Sequence, residues 1–167
     1  MAVVIQLTKG YTALVDEEDA DLADVKWELY TSKWGNVYAR RVITVKGKRI
    51  RSFMHRMVLQ RVLGVVLDRS QEVDHKNRNG LDNTRQNLRL ASHAENARNR
   101  SVLRTNKLGV AGVYVSASGK FIASIQVSGK RMSLGSHTEL SDAAKARREA
   151  EKMYFGEFAP SISIEGE

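Results

Sequence analysis

Cysteine is absent from the 167 residues, which removes disulfides and thiolate-held structural zinc as sources of stability. Any metal must therefore be taken by oxygen or imidazole, and a reducing compartment is compatible with the composition. No apolar run approaches the roughly 18 residues a membrane-spanning helix needs, and no basic amphipathic stretch stands apart to lie on a bilayer. The first seven residues alternate apolar and polar without a charged leader or a cleavage site, so no signal peptide is expected. A soluble, cytoplasmic protein is the expectation. Acid is the scarcer charge: 19 Asp+Glu face 27 Lys+Arg, a net +8 with a pI near 9.9. That imbalance favours a polyanionic partner, nucleic acid before all others. The 42% of apolar residues suffices for one modest core or two small ones, not for a large multi-layer enzyme. No internal repeat or low-complexity tract is visible.

What is present changes character along the chain. Residues 16–24 carry Asp16, Glu17, Glu18, Asp19, Asp21 and Asp24 with no base among them, so DNA is not expected there. Around this segment, 3–7 and 11–15 read as strands, and 38–45 and 48–53 as a hairpin turning at Lys46-Gly47. A helix over 54–62 follows, with Met54, Met57, Val58, Leu59 and Val62 at helical spacing. These elements make a small α+β module over 1–65, in which Trp27 and Trp34 are core or rim aromatics and His55 is a core or interfacial histidine.

From Gln71 the chain turns to Asn, Arg and Asp, and its charge reverses. Lys76, Arg78, Arg85, Arg89, Arg98, Arg100, Arg104 and Lys107 outnumber Asp74, Asp82 and Glu95. Asp74-His75 ends a short strand, a polar loop follows, 88–91 forms a second strand, and Ser92 caps a helix, giving a ββα order. Hydrolysis of a phosphodiester needs a base for the attacking water, a cation for the developing charge, and a group that holds the base. His75 suits the base because its ordinary pKa near about 6.5 leaves it neutral at working pH. Asp74 is a hard oxygen ligand suited to Mg²⁺, and Asn96 is a neutral oxygen ligand on the following helix. Asn87, by side chain or carbonyl, can bond the second imidazole nitrogen, a role that Asn83 can also fill. Loop residues of this kind also serve as plain turns. His93 and His137 carry weaker signals.

The stretch 72–100 resembles the HNH endonucleases, in particular phage and intron-encoded homing enzymes with the pattern V-D-H…N-x-x-x-N-L-R…E-N. The first His of the family falls on His75, its central Asn on Asn87, and its third position on Asn96, where many members have His. The resemblance implies one divalent ion, Mg²⁺ or Mn²⁺, on Asp74 and Asn96, in-line attack by water, and products with 5′-phosphate and 3′-hydroxyl ends.

Residues 101–109 read as a basic linker, and 110–160 as a three-strand meander plus helix, with strands at 113–116, 121–127 and 130–134. Ser141 is the expected cap of a helix over 142–155, which ends at Gly156. Alternation sets Val113, Val115, Phe121, Ala123, Ile125, Met132 and Leu134 under a helix face of Ala143, Ala146, Ala150 and Met153. The opposite sheet face presents Tyr114, Ser116, Ile122, Ser124, Gln126, Arg131 and Ser133. This segment resembles an AP2-type domain, a family that reads DNA with such a sheet, and its contact positions fall on Tyr114, Ser116, Ser124, Gln126, Arg131 and Ser133. The N-terminal residues around Ala13 to Asp16 and Met54 to Arg56 resemble the leader of phage proteins that combine the two motifs.

The expectation is therefore an α+β chain: an N-terminal module (1–65), a central ββα-metal nuclease module (66–100), a linker (101–109), a sheet-plus-helix DNA-binding domain (110–160) and a tail (161–167). Its expected work is site-directed, metal-dependent cleavage of double-stranded DNA by a monomer without a membrane partner. Arg78, Arg85, Arg98, Arg100 and Arg104 would contact phosphates. A DNA-binding regulator without catalysis, and an RNA-acting protein, are the alternatives.

Overall fold

In the computed structural model the described residues are 1–99 and 106–160. They form two compact units, Met1–Asn96 and Ala97–Glu167.

The first unit begins with a two-stranded antiparallel ribbon of β1 (Ala2–Gln6) and β2 (Thr12–Asp16). The acidic segment Glu17–Asp24 is wound into 3-10 turns, and its Leu22 and the adjoining Trp27 are buried at 2% and 1% exposure. The Trp27 indole N–H donates to the Leu22 carbonyl at 2.8 Å, so this aromatic is core; Trp34 lies exposed on the surface. A three-stranded sheet follows in the order β3 (Glu28–Thr31), β4 (Val37–Val45), β5 (Lys48–Phe53). Strand β3 has no counterpart in the sequence reading because Glu28–Thr31 is short and only half apolar. The β4–β5 turn works as its Lys46-Gly47 pair suggests: both residues have positive φ, at 49° and 73°, the conformation whose twist matches the flanking strands.

Helix α1 (Met54–Leu63) buries Met54, His55, Val58 and Leu59 and stops at Gly64 in the left-handed region. The ribbon β6 (Glu72–His75) with β7 (Leu88–Ala91) and the short helix α2 (His93–Arg98) complete the ββα unit. The boundary expected at residue 65 is not a break in packing. One core runs across it, from Ile5, Ala13, Val15 and Trp27 through Met54, Val58 and Leu59 to Leu67, Val73 and Leu88. Neither half has enough apolar surface for a core of its own, so each completes the other.

The polar loop between β6 and β7 adds to the edge of β2: the Leu14 amide donates to the Leu81 carbonyl and the Asn83 amide to the Leu14 carbonyl, both at 2.8 Å. Gly80 lets the same loop lie close against β4. A Cβ there would stand 2.2 Å from the Val37 carbonyl oxygen and 2.7 Å from the Tyr38 ring.

The second unit carries an antiparallel sheet in the order β10-β9-β8, with β8 (Val113–Val115), β9 (Phe121–Val127) and β10 (Lys130–His137). Strand β10 runs past the expected end at Leu134 because a bulge between Ser133 and Ser136 lets it continue. Helix α3 (Leu140–Phe155) packs on this sheet, its Ala143 and Ala150 against Val113, Ala123 and Ile125. Two expectations change here. Ser141 lies inside the helix, since Glu139 is the first flanking residue and makes no side-chain cap. Met153 is 76% exposed, and Phe155, one turn's fraction further on, is the residue buried on the sheet at 8%. Val115 and Met132, expected under the helix, remain 51% and 37% exposed, as one helix does not span the sheet edges. No helix among the described residues is long and apolar enough to cross a membrane.

Candidate functional site

Register organises the ββα unit. Glu72 pairs with Ala91, Val73 with Leu90, Asp74 with Arg89 and His75 with Leu88. Successive strand residues point to opposite faces, so Glu72 and Asp74 share one face while Val73 and His75 share the other.

On the His75 side the imidazole is 5% exposed. Its Nε2 lies 3.4 Å from the Asn83 Oδ1, and the Asn83 amide, fully buried, is oriented by donating its own Nδ2 to the Leu81 carbonyl at 3.2 Å. The His75 ring meets His55 edge-on at 5.1 Å between centroids and Tyr38 at 6.0 Å. Burial pushes the His75 pKa below its ordinary value, and the bond to Asn83 and the charges of Asp74 and Asp82 oppose that shift without cancelling it. His55, beside it, is pushed well below its ordinary value, chiefly by burial, with the neighbouring His75 and Arg56 adding to the shift. Both rings are neutral at pH 7. A neutral imidazole is what a general base requires.

Asn87 occupies a different place from the one expected for its side chain. Its Oδ1 accepts from the Asn77 amide at 3.0 Å, its Nδ2 donates to the Asp82 carbonyl at 2.7 Å, and its carbonyl accepts from the Lys76 amide at 2.9 Å. Asn87 thus closes the loop, and Asn83 takes the position beside the imidazole. Asn77 and Asp82 tie further loop atoms together, through Asn77 Nδ2 to Asp82 Oδ2 at 2.7 Å and Thr84 Oγ1 to Asp82 Oδ1 at 2.7 Å.

On the other face Asp74, 5% exposed, accepts from Arg89 Nε at 2.8 Å and Nη2 at 2.6 Å, both on Oδ2. Asn96 donates its Nδ2 to Glu72 Oε2, and His93 Nδ1 lies 2.6 Å from Glu72 Oε1. Glu72 therefore ties helix α2 to the face that carries Asp74. Among the described residues there is no group of three or more His, Cys, Asp or Glu able to hold a metal ion. Asp74 and Asn96 offer one carboxylate and one carboxamide oxygen, hard donors of the kind that a divalent cation takes.

The cations expected at phosphates divide. Arg85 donates from Nε to Asp19 Oδ2 at 2.8 Å, its backbone N–H goes to Asp16 Oδ2 at 2.6 Å, and Asp19, fully buried, also receives Arg61 at 3.0 Å. Arg85 Nε is thus engaged within the fold, while its side chain stays 34% exposed. Arg98 lies over the Phe155 ring at 4.9 Å, Arg78 is half-buried in the loop, and Arg100 and Arg104 lie outside the described residues. The sequence reading passed over the β4–β5 hairpin, whose Lys46, Lys48, Arg49 and Arg51 are all exposed. The signal was present as a basic run around a tight turn.

On the sheet of the second unit, Tyr114, Gln126, Arg131 and Ser133 are exposed, with the Arg131 guanidinium 5.3 Å from the Tyr114 ring centre. Ser124 is buried at 7% on the central strand and accepts from Arg131 Nε and Nη2 at 3.2 and 3.0 Å. Ser116 closes the β8–β9 turn by accepting from the Lys120 amide at 3.1 Å. Both hydroxyls thus have hydrogen-bond partners within the second unit.

Residues 52–98 match the family model described as HNH endonuclease. The match runs from the end of β5 through α1, the β6–β7 ribbon and α2, and it supports a nuclease of the HNH type whose substrate is DNA. It takes in His55, Asp74, His75, Asn83, Asn87 and Asn96 and leaves the C-terminal sheet outside. No curated protein and no solved structure matches the chain.

Proposed function

We propose that the protein is a metal-dependent, homing-type DNA endonuclease in which His75 is the general base, and that the C-terminal sheet contributes to recognition of the duplex. The observation that carries this reading is the pairing of a buried, neutral His75 with Asp74 at adjacent strand positions. In-line displacement at phosphorus places the attacking and leaving oxygens on opposite sides. Base and cation must both act on one phosphate, and Asp74 and His75 stand together at the end of β6, where the strand runs into the polar loop.

With Asn83 Oδ1 accepting from Nε2–H at 3.4 Å, His75 would be held in the tautomer whose Nδ1 is the basic nitrogen. Asp74 and the Asn96 carboxamide oxygen would hold Mg²⁺ or Mn²⁺, which when bound stabilises charge on the phosphate and the leaving oxygen. The exposed cations of the β4–β5 hairpin, Arg78 and Arg131 would contact phosphates, and Tyr114, Gln126 and Ser133 would meet base edges or backbone. The reading extends to a monomer encoded by a bacteriophage or an intron.

One observation favours the scaffold reading instead: Arg89 already neutralises Asp74. Cleavage separates the two. Supercoiled plasmid and a linear duplex incubated with protein and Mg²⁺ are expected to be cut, and EDTA is expected to stop the reaction. His75→Ala is expected to abolish cutting while DNA binding in EDTA is retained. Cutting by His75→Ala at the wild-type rate removes His75 as the base, and binding without any cutting by the wild type leaves the non-catalytic regulator.

A further inference from the structure

We propose that Glu72 is a positioning residue for the cation site, fixing the Asn96 carboxamide so that its oxygen, not its nitrogen, is presented as a ligand; the inference rests on the ligand reading given above. A carboxamide can turn over by a half rotation that exchanges a metal-ligating oxygen for an NH₂ group that repels cations. A carboxylate accepts hydrogen bonds and donates none when ionised. Glu72 Oε2 therefore selects the Nδ2 end of Asn96, so that Oδ1 is the end turned away from the Glu72 carboxylate.

Strand geometry explains why Glu72 can do this. It stands two residues before Asp74 on the same face of β6, opposite Ala91, whose small side chain leaves the carboxylate room to reach α2. Asn96 is thus held by Glu72 along the strand, while Asp74 is paired with Arg89 across the ribbon, a contact that a cation on Asp74 would have to share. Partners of this kind orient ligands before an ion arrives.

The start of α2 does not depend on Glu72. Ser92 and Glu95 cap it reciprocally: the Ser92 amide donates to Glu95 Oε2 at 2.8 Å and the Glu95 amide to Ser92 Oγ at 3.3 Å. The second Glu72 contact, to His93, joins a carboxylate to a ring that is 77% exposed, and exposed pairs contribute little stability.

The test is Mn²⁺ binding by the full-length protein, read from loss of the free-ion electron paramagnetic resonance signal, beside DNA binding in EDTA. Glu72→Ala is expected to weaken Mn²⁺ binding at least about tenfold and to leave DNA binding unchanged. Glu72→Gln still offers an oxygen to Nδ2 and is expected to stay within about threefold of wild type. His93→Ala is expected to bind Mn²⁺ as wild type does. Wild-type affinity in Glu72→Ala overturns the inference. So does an equal loss in Glu72→Gln, which makes charge the cause, or in His93→Ala, which makes helix docking the cause. If Glu72→Ala does not fold, Glu72→Asp takes its place, one methylene too short to hold Asn96, with the same tenfold loss expected and wild-type affinity overturning the inference. A wild type that neither takes up Mn²⁺ nor cuts DNA fails at the nuclease reading, whereas a wild type that does both beside unaltered Glu72 variants fails only here.

Discussion

The Asp74 carboxylate and the Arg89 guanidinium are 5% and 8% exposed and face each other across two strands. Each ion loses several kcal/mol of hydration in such a place, and each is tolerated because the other is there. Arg89→Ala is accordingly expected to lower the stability of the first unit by about 3–5 kcal/mol, measured by urea unfolding. Asp74→Ala combined with Arg89→Ala should recover part of that loss, and a cost below about 1 kcal/mol for Arg89→Ala would show that the pair is not held in solution. Asp74 and His75 were legible as candidates from the sequence because a hard ligand beside an imidazole is a recognisable chemical pair. Arg89 and Arg85 were legible only as cations. That one lies opposite Asp74 depends on the register of two strands, and that the other is held by Asp19 depends on a contact between residues 66 apart.

Helix α1 is placed so that His55 lies buried against the ribbon, with Phe53 stacked on it at 5.4 Å and His75 meeting its edge. Its imidazole is neutral in the folded chain because burial holds the pKa well below the ordinary value. Unfolded, the same group takes up a proton below about pH 6.5. The unfolded state then binds more protons, so the stabilising preference for the folded form is complete above pH 6.5 and declines as pH falls, by about 1.4 kcal/mol per pH unit for one such group. His55→Leu is expected to reduce the slope of unfolding free energy against pH by about one proton between pH 6.5 and 5. An unchanged slope would mean that His55 is charged in the native state. Most elements were legible within a residue or two, since β5, α1, β7 and β9 have clear periods and turns. The 3-10 turns of Glu17–Asp24 and strand β3 were not, because their form is set by Trp27 and Leu22 packing inward rather than by any local pattern.

For the whole molecule the excess of positive charge predicts DNA binding that weakens steeply with salt, as counterions released from the duplex are restored. Each phosphate contact carries about one unit of the log–log slope. Arg49→Ala and Arg131→Ala are each expected to flatten that slope by about one unit, read by fluorescence anisotropy over a salt series. Arg85→Ala is expected to leave the slope unchanged and to lower stability instead; the opposite result would place Arg85 on the DNA. The sequence by itself determined the α+β class, the order of the ribbon and helix, and the basic balance, because these follow from composition and local period, and it offered Asp74 and His75 as candidates by their chemistry. Only the tertiary structure decided that the N-terminal strands and the ββα unit share one core, that Asn83 rather than the Asn87 side chain stands at the imidazole, and which arginines are held by carboxylates. Those are relations between distant residues, set by strand register and by how two small apolar faces complete each other.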